Sequence, residues 1–260
     1  MDAVLPVLVE RDGAVGVVTL NRPDKFNCVS RGLADALLAA VRDLEADPAC
    51  RVLLLKANGR HFCTGADLDE VLAARASADG LRAFLAAGHA ALNALEASRL
   101  PVVGAIQGFC LAGGLEIAMV CDVVFAAASA RFGDQHAQYG LIPGWGGTQR
   151  LPRLVGLRRA QHLMFSADRL EPTEAKDWGL VNFVVEEPVL LEQAMLYAQT
   201  LATRNPESIA AMKSLAHIGL DETLDNGLTQ ELDRVVNALR SDNVSEGLAA
   251  FQARRKPAFK

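Results

Sequence analysis

Four short apolar runs, VGVVTL (15–20), RVLLLKA (51–57), VVGAIQG (102–108) and DVVFAA (122–127), are separated by longer stretches. Runs this short read as strands, and RVLLLKA as a buried one. The stretches between them carry helical periodicity. RGLADALLAAVRDLEAD (31–47) follows Ser30, a natural N-cap, and GLRAFLAAGHAALNALEAS (80–98) precedes the strand opened by Pro101. A glycine-punctuated segment, 108–114, leads into a helix expected from Gly113 to Val120. The strand-then-helix rhythm returns roughly every 45 residues, which predicts stacked β–β–α turns or a parallel sheet with crossover helices.

Beyond about residue 186 the strand signals stop. LLEQAMLYAQTLATR (190–204), ETLDNGLTQELDRVVNAL (222–239) and NVSEGLAAFQARR (243–255) are all helical patterns. The expected organisation is therefore an α/β core over residues 1–195 and a helical region over 196–260, suited to oligomerisation or to closing a lid. A chain of 260 residues with 51% apolar and 22% charged residues suits a soluble globular protein with a sizeable core. No apolar run approaches the roughly 20 residues that span a bilayer, so no membrane association is expected. MDAVLPVLVERDG lacks the basic and apolar segments of a secretory signal, which predicts a cytoplasmic protein. A net charge of −5 gives no electrostatic reason to expect nucleic acid as a partner. Cys28, Cys50, Cys63, Cys110 and Cys121 form no C-x-x-C pair and read as buried free thiols of a reducing compartment. The five histidines fall in no metal-binding spacing, and no metal site is expected.

The chemistry gathers around LAGGLEIAMVCDVVF (111–125), where Glu116 follows two glycines and enters an apolar stretch. A buried carboxylate without partners is costly. Glu116 is either solvated on an exposed helix face or held at the floor of a pocket, beside amides that the glycines leave uncovered.

GRHFCTGADLDEV (59–71), IQGFCLAGGLEIAMVCD (106–122), RFGDQHAQYGLIPGWGGTQRL (131–151) and LAAFQARRKPAFK (248–260) resemble, in wording and order, the crotonase (enoyl-CoA hydratase/isomerase) superfamily. NRPDKFN near the start and A-x-x-W-G-L-V at 175–181 extend the resemblance over almost the whole chain. The resemblance implies a crotonase-like spiral of β–β–α repeats with a C-terminal helical region, assembled as a homotrimer or as a hexamer of paired trimers. It implies an acyl-CoA thioester substrate and no separate cofactor, since coenzyme A is part of the substrate.

By the same resemblance, the amides of Ala66 and Gly113 form an oxyanion hole for the thioester oxygen. Gly113 stands at a helix start, where free N–H groups and the dipole favour an anion. Glu116, one turn further on, is the acid–base group, since a partly desolvated carboxyl trades protons near neutral pH. Lys25 would meet a CoA phosphate, and Asp67, Leu68 and Asp69 would follow the pantetheine and adenine edge, chiefly through backbone groups. Phe251 and Arg254 match a C-terminal F-x-x-K element that reaches the CoA of its own or a neighbouring subunit. Trp145, in a loop turned by Pro143 and its glycines, either lines the acyl channel or packs the trimer-forming core.

One departure stands out. Where the hydratase pattern carries a second glutamate, in F-G-x-P-E, this chain has Phe132-Gly133-Asp134-Gln135-His136. His136 either substitutes for that carboxylate, as an imidazole titrating near neutrality can, or marks different chemistry. Asp134 is expected to cap a helix rather than to orient His136. A further carboxylate used by dienoyl isomerases is replaced by Gly144. The implied activity is hydration of a 2-enoyl-CoA to a 3-hydroxyacyl-CoA in fatty-acid metabolism. The alternatives are another enolate-forming reaction, such as hydrolysis, decarboxylation or isomerisation, and a non-catalytic acyl-CoA- or RNA-binding relative.

Overall fold

A computed structural model of the protein describes residues 5–260. Strands β1 (Val7–Asp12), β2 (Val15–Leu20) and β3 (Val52–Ala57) bracket helix α1 (Arg31–Ala46), and α2 (Leu68–Ala74) and α3 (Ala78–Ala97) follow. Next come β4 (Val102–Ile106), β5 (Phe109–Leu111), α4 (Gly113–Ala118), β6 (Val123–Ala127) and β7 (Arg131–Gly133). Helices α5 (Gly147–Val155), α6 (Leu157–Ser166) and α7 (Pro172–Asp177) precede β8 (Phe183–Val185). The chain ends in α8 (Leu190–Ala202), α9 (Pro206–Asp221), α10 (Leu224–Ala238) and α11 (Asp242–Gln252).

Six strands form one sheet in the order β1-β2-β3-β4-β6-β8, parallel except for the antiparallel β1–β2 edge. Both faces of its centre are buried, which is why the central strands read as unbroken apolar runs. Val18, Leu20, Leu53, Leu55, Val124 and Ala126 join one core, shared with α1, α3 and α4. Their alternate neighbours Val15, Val17, Val52, Leu54, Phe125 and Ala127 join a second, covered by Leu190, Ala194 and Ala198 of α8. On α1, Ser30 accepts a hydrogen bond from the Leu33 amide at 3.1 Å, and Leu33, Leu37, Val41 and Leu44 form the buried stripe. Truncating Leu37 to Ala would cost about 2–5 kcal/mol.

A second, small layer creates the spiral. β5 pairs in parallel with β7, and isolated backbone β-pairings of Cys63 with Cys110 and of Val29 with Ala66 add the segments that follow β3 and β2. Each turn thus contributes one strand to the large sheet and a short extended piece to the small layer. The turns start at Val15, Val52, Val102 and Val123, so the expected even spacing is not kept. Two helices fill the turn after β3, whereas the turn after β4 holds only the six-residue α4, which stops at Ala118 rather than Val120.

The expected boundary at residue 195 falls inside α8, a helix that packs on the sheet. The region that leaves the sheet begins with α9. It is tied back by Lys213, whose Nζ lies 2.7 Å from Asp122 Oδ2 and also donates to the carbonyls of Leu95 and Leu100. Neither α9 nor α10 buries a residue, and Met212, Leu220, Leu224, Leu232 and Leu239 are exposed. The cysteines are free thiols; Cys50, Cys63 and Cys110 are buried, but Cys28 and Cys121 only half so. Burial pushes the Cys63 and Cys121 thiols up to about 12. Among the described residues no helix is long and apolar enough to cross a membrane.

Candidate active site

Two backbone segments meet where the small layer ends. Ala112 takes φ +50° and ψ −117°, a costly conformation for a residue with a Cβ, and its amide is held by the Gly133 carbonyl at 2.9 Å. That bend starts α4, so the Gly113 N–H is the first of a helix and has no intrahelical partner. On the other segment, the Val29 amide donates to Gly65 O at 2.7 Å and the Asp67 amide to Val29 O at 2.9 Å. In this parallel pairing the Ala66 N–H faces away from Val29.

The glycines let the two segments touch. Gly65 has φ +114°, and a Cβ on it would lie 3.0 Å from Ala112 Cβ and 3.6 Å from the Gly113 nitrogen. A Cβ on Gly113 would come within 3.4 Å of the Gly65 carbonyl carbon. Neither the Ala66 nor the Gly113 amide finds a protein acceptor among the described residues. Both residues line one cavity of about 460 Å³.

Glu116, one turn along α4, lines the same cavity and is only 1% exposed. The solvated-face reading of this residue is therefore excluded. Its Oε1 accepts hydrogen bonds from the Trp145 amide at 2.7 Å and the Gly147 amide at 2.8 Å. Among the described residues its Oε2 has no partner. Burial raises the Glu116 pKa above the ordinary carboxylate value, and the two amides offset only part of that.

The loop that holds Glu116 is itself held by Arg150, a residue the sequence reading did not single out. Arg150 Nη1 donates to the Trp145 carbonyl at 2.9 Å. Its Nε and Nη2 pair with both oxygens of Glu96 at 2.8 and 2.5 Å, and Nη2 also reaches Asn93 at 2.9 Å. Trp145 is 2% exposed and lies where two glycines lack side chains. A Cβ on Gly88 of α3 would fall 2.2 Å from its Nε1, and one on Gly113 2.5 Å from its Cζ3. Trp145 thus packs in the core of its own chain and walls the cavity at the same time.

His136 lines the cavity too, and its ring Nδ1 lies 3.0 Å from Asp134 Oδ1. The expectation that Asp134 caps a helix is corrected here: the 3-10 turn Ala137–Tyr139 that follows has no side-chain cap. Gln135 has φ +61° between them, and Asp134 folds back to accept both the backbone N–H (3.2 Å) and the ring of His136. Burial by itself lowers the His136 pKa, but the Asp134 hydrogen bond and charge, with Glu116 beyond, turn the net shift upward. Asp134 Oδ2 is buried without a partner, as are Glu116 Oε2 and Trp145 Nε1. Among the described residues these are the three buried side-chain polar atoms left unsatisfied; Glu116 and Trp145 line the cavity, and Asp134 is bonded to His136, which lines it too.

Lys25, Asp67, Leu68 and Asp69 form part of the cavity wall as well. The Asp67 side chain is committed elsewhere: it takes Arg22 Nη2 at 2.8 Å and caps α2 through the Asp69 amide at 3.2 Å. Burial favours the neutral acid, but Arg22 overcomes it and holds the Asp67 pKa below the usual value. Lys25 and Asp69 face each other at 3.2 Å in solvent. Phe251 and Arg254 do not join this group within the chain; Phe251, on α11, is 83% exposed.

The layers and the short-strand spiral are those of the crotonase class. A solved enoyl-CoA hydratase from Bacillus anthracis superposes with a TM-score of 0.93 at 33% identity, covering 98% of this chain and 99% of that one. A sequence model described as enoyl-CoA hydratase/isomerase matches residues 10–260, and the chain belongs to that family. It is 34% identical to a crotonyl-CoA hydratase of Syntrophomonas wolfei, over 97% of each chain. It is also 34% identical to a short-chain-enoyl-CoA hydratase of Clostridium acetobutylicum, over 96% of this chain and 95% of the relative.

Proposed function

We propose that this protein is an enoyl-CoA hydratase, adding water across the double bond of a 2-enoyl-CoA thioester. The single observation that carries the reading is the free Oε2 of buried Glu116 in one cavity with two unbonded amides. The Ala66 and Gly113 N–H groups receive the thioester oxygen and strengthen their hold as it becomes an enolate. One such donor contributes about 3–4 kcal/mol to the transition state. Glu116 takes a proton from the attacking water. Its raised pKa makes it a better base than a solvated carboxylate, and the hydrogen bonds from the Trp145 and Gly147 amides favour its ionised form.

The mouth binds the carrier portion of the substrate: Lys25 meets a phosphate, and the backbone of Asp67, Leu68 and Asp69 follows the pantetheine arm. Coenzyme A arrives within the substrate, and no further cofactor takes part. The protein works in the cytoplasm as a homotrimer or as paired trimers. Support for assembly is the uncovered apolar face of α9 and α10. Phe251 and Arg254, on the same helical region, then reach CoA of their own or an adjacent subunit.

The test is hydration of crotonyl-CoA and longer 2-enoyl-CoAs by the purified protein, followed as loss of the conjugated thioester. Turnover is expected, with Glu116→Gln at least about a hundredfold slower. Absence of turnover across that series, with conversion of β-keto or dicarboxylic acyl-CoAs instead, would move the assignment to another enolate reaction. Light scattering on the eluted protein reads its assembly, with a trimer or hexamer mass expected.

A further inference from the structure

Glu116 has one free oxygen, and hydration moves two protons. Oε1 is saturated by two amides, which leaves Oε2 alone to hold and deprotonate the water. We infer that Asp134 and His136 act as a dyad, in which Asp134 fixes the imidazole through Nδ1 so that Nε2–H delivers the second proton to the α-carbon. The inference rests on the hydratase reading above and extends it to a residue, Asp134, that touches no substrate and acts by positioning.

The geometry is specific. With Nδ1–H donated to Asp134 Oδ1 at 3.0 Å, Nε2 is the one ring atom left to exchange a proton, and it has no protein partner among the described residues. The His136 side chain is 12% exposed, in the cavity that Glu116, Ala66 and Gly113 line, while Asp134 stands behind it with 1% exposure. The charged groups acting on His136 are Asp134 on its own loop and Glu116 on α4, and both favour the imidazolium. The other titratable groups lining the cavity are Asp24, Lys25, Cys28, Asp67, Asp69 and Tyr139.

The step balances. Glu116 Oε2 takes one water proton as the oxygen bonds to the β-carbon, and the π pair moves to make the enolate. The enolate collapses as its α-carbon takes the proton of His136 Nε2. The product carries H and OH, Glu116 is protonated and His136 neutral. A proton passing from Glu116 to His136 after release restores both groups.

Ionised Glu116 and protonated His136 are needed together, which predicts a bell-shaped dependence of kcat/KM on pH. The acid limb follows the raised Glu116 pKa. The alkaline limb follows His136 and lies above the ordinary imidazole value of 6.5. With crotonyl-CoA as the probe, His136→Gln should lose about a hundredfold or more in kcat together with the alkaline limb. Asp134→Asn keeps an acceptor but not the charge, so the alkaline limb should move to lower pH. Its kcat should fall at least about tenfold with KM nearly constant. Imidazole added to His136→Gly should restore part of the rate.

Nitrogen NMR of the wild-type histidines needs no variant and should show His136 protonated at Nδ1 throughout, with Nε2 titrating. A His136→Gln enzyme within about threefold of wild type and with the same pH profile, alongside a crippled Glu116→Gln, would overturn the dyad and leave the hydratase reading intact. Should the variants not fold, a wild-type His136 protonated only at Nε2 would overturn it equally. A wild type that hydrates no enoyl-CoA fails at the earlier reading, and that result is separate.

Discussion

The inner end of the cavity and its mouth use the same kinds of residue under opposite physical conditions. At the inner end Glu116, Asp134 and Trp145 are sealed from water, and each keeps one polar atom unsatisfied. At the mouth Lys25 and Asp69 pair with side chains 57% and 80% exposed. Charges in a dry site act at full strength and shift each other's protonation, whereas an exposed pair is screened by water and salt. The proposed reaction divides them accordingly, with proton transfer at the inner end and capture of the substrate at the mouth. Asp67 marks the border: it lines the cavity, yet its charge is spent on Arg22, bracing the segment that carries the Ala66 amide.

The largest effect should come from closing the inner end. Gly113→Val would place a Cβ 2.5 Å from the Trp145 ring, which cannot retreat because Gly88 is already against its other edge. Crotonyl-CoA turnover should fall at least about a hundredfold, as for a lost oxyanion donor. The melting temperature should drop too, by an overpacking cost of about 1–3 kcal/mol. A variant that keeps full turnover would show that the Trp145 ring yields to the new side chain without displacing this amide from the substrate.

Arg150→Gln tests the support one step further out. It frees the 145–147 loop and leaves half-buried Glu96 unpaired, so kcat should fall about tenfold and stability by about 1–3 kcal/mol. Burial raises the Glu96 pKa, but Arg150 outweighs it and the net shift is downward. A lowered carboxylate pKa stabilises the fold above the unfolded value and loses that contribution as pH falls through the folded value. The gap in melting temperature between wild type and Arg150→Gln should therefore be full at neutral pH and shrink below about pH 4.5. An acid-independent gap would mean that packing, not the ion pair, holds the loop.

The smallest effect belongs to the mouth. Lys25→Gln should raise KM no more than about threefold, with kcat unchanged, and the difference should vanish at high salt. A loss as large as that of Arg150→Gln would erase the contrast between the two ends.

Much of this arrangement is legible along the chain. The buried strands announce themselves because both faces of the sheet are covered, and α1 because Ser30 caps an apolar stripe. Glu116 is legible as a carboxylate one turn after paired glycines, but that pattern alone also allowed a solvated face, and its role came from the family resemblance. The three-residue strands β5, β7 and β8 are too short to show a period and exist because the spiral stacks them against neighbours. Asp134 reads as a cap, since aspartate before a turn usually is one; the positive φ of Gln135 decides otherwise. Arg150 lies in a segment quoted for its glycines, but its partner Glu96 is on α3, across the fold.

Local order along the chain therefore specifies the repeating units, the family and the carboxylate at the helix start, because caps, glycines and side-chain period act over a few residues. Tertiary packing alone sets which amides stay free, which oxygen of Glu116 is left unbonded and what His136 faces. Those properties depend on what approaches from distant segments. Burial then gives them their chemical strength, and no stretch of sequence carries burial by itself.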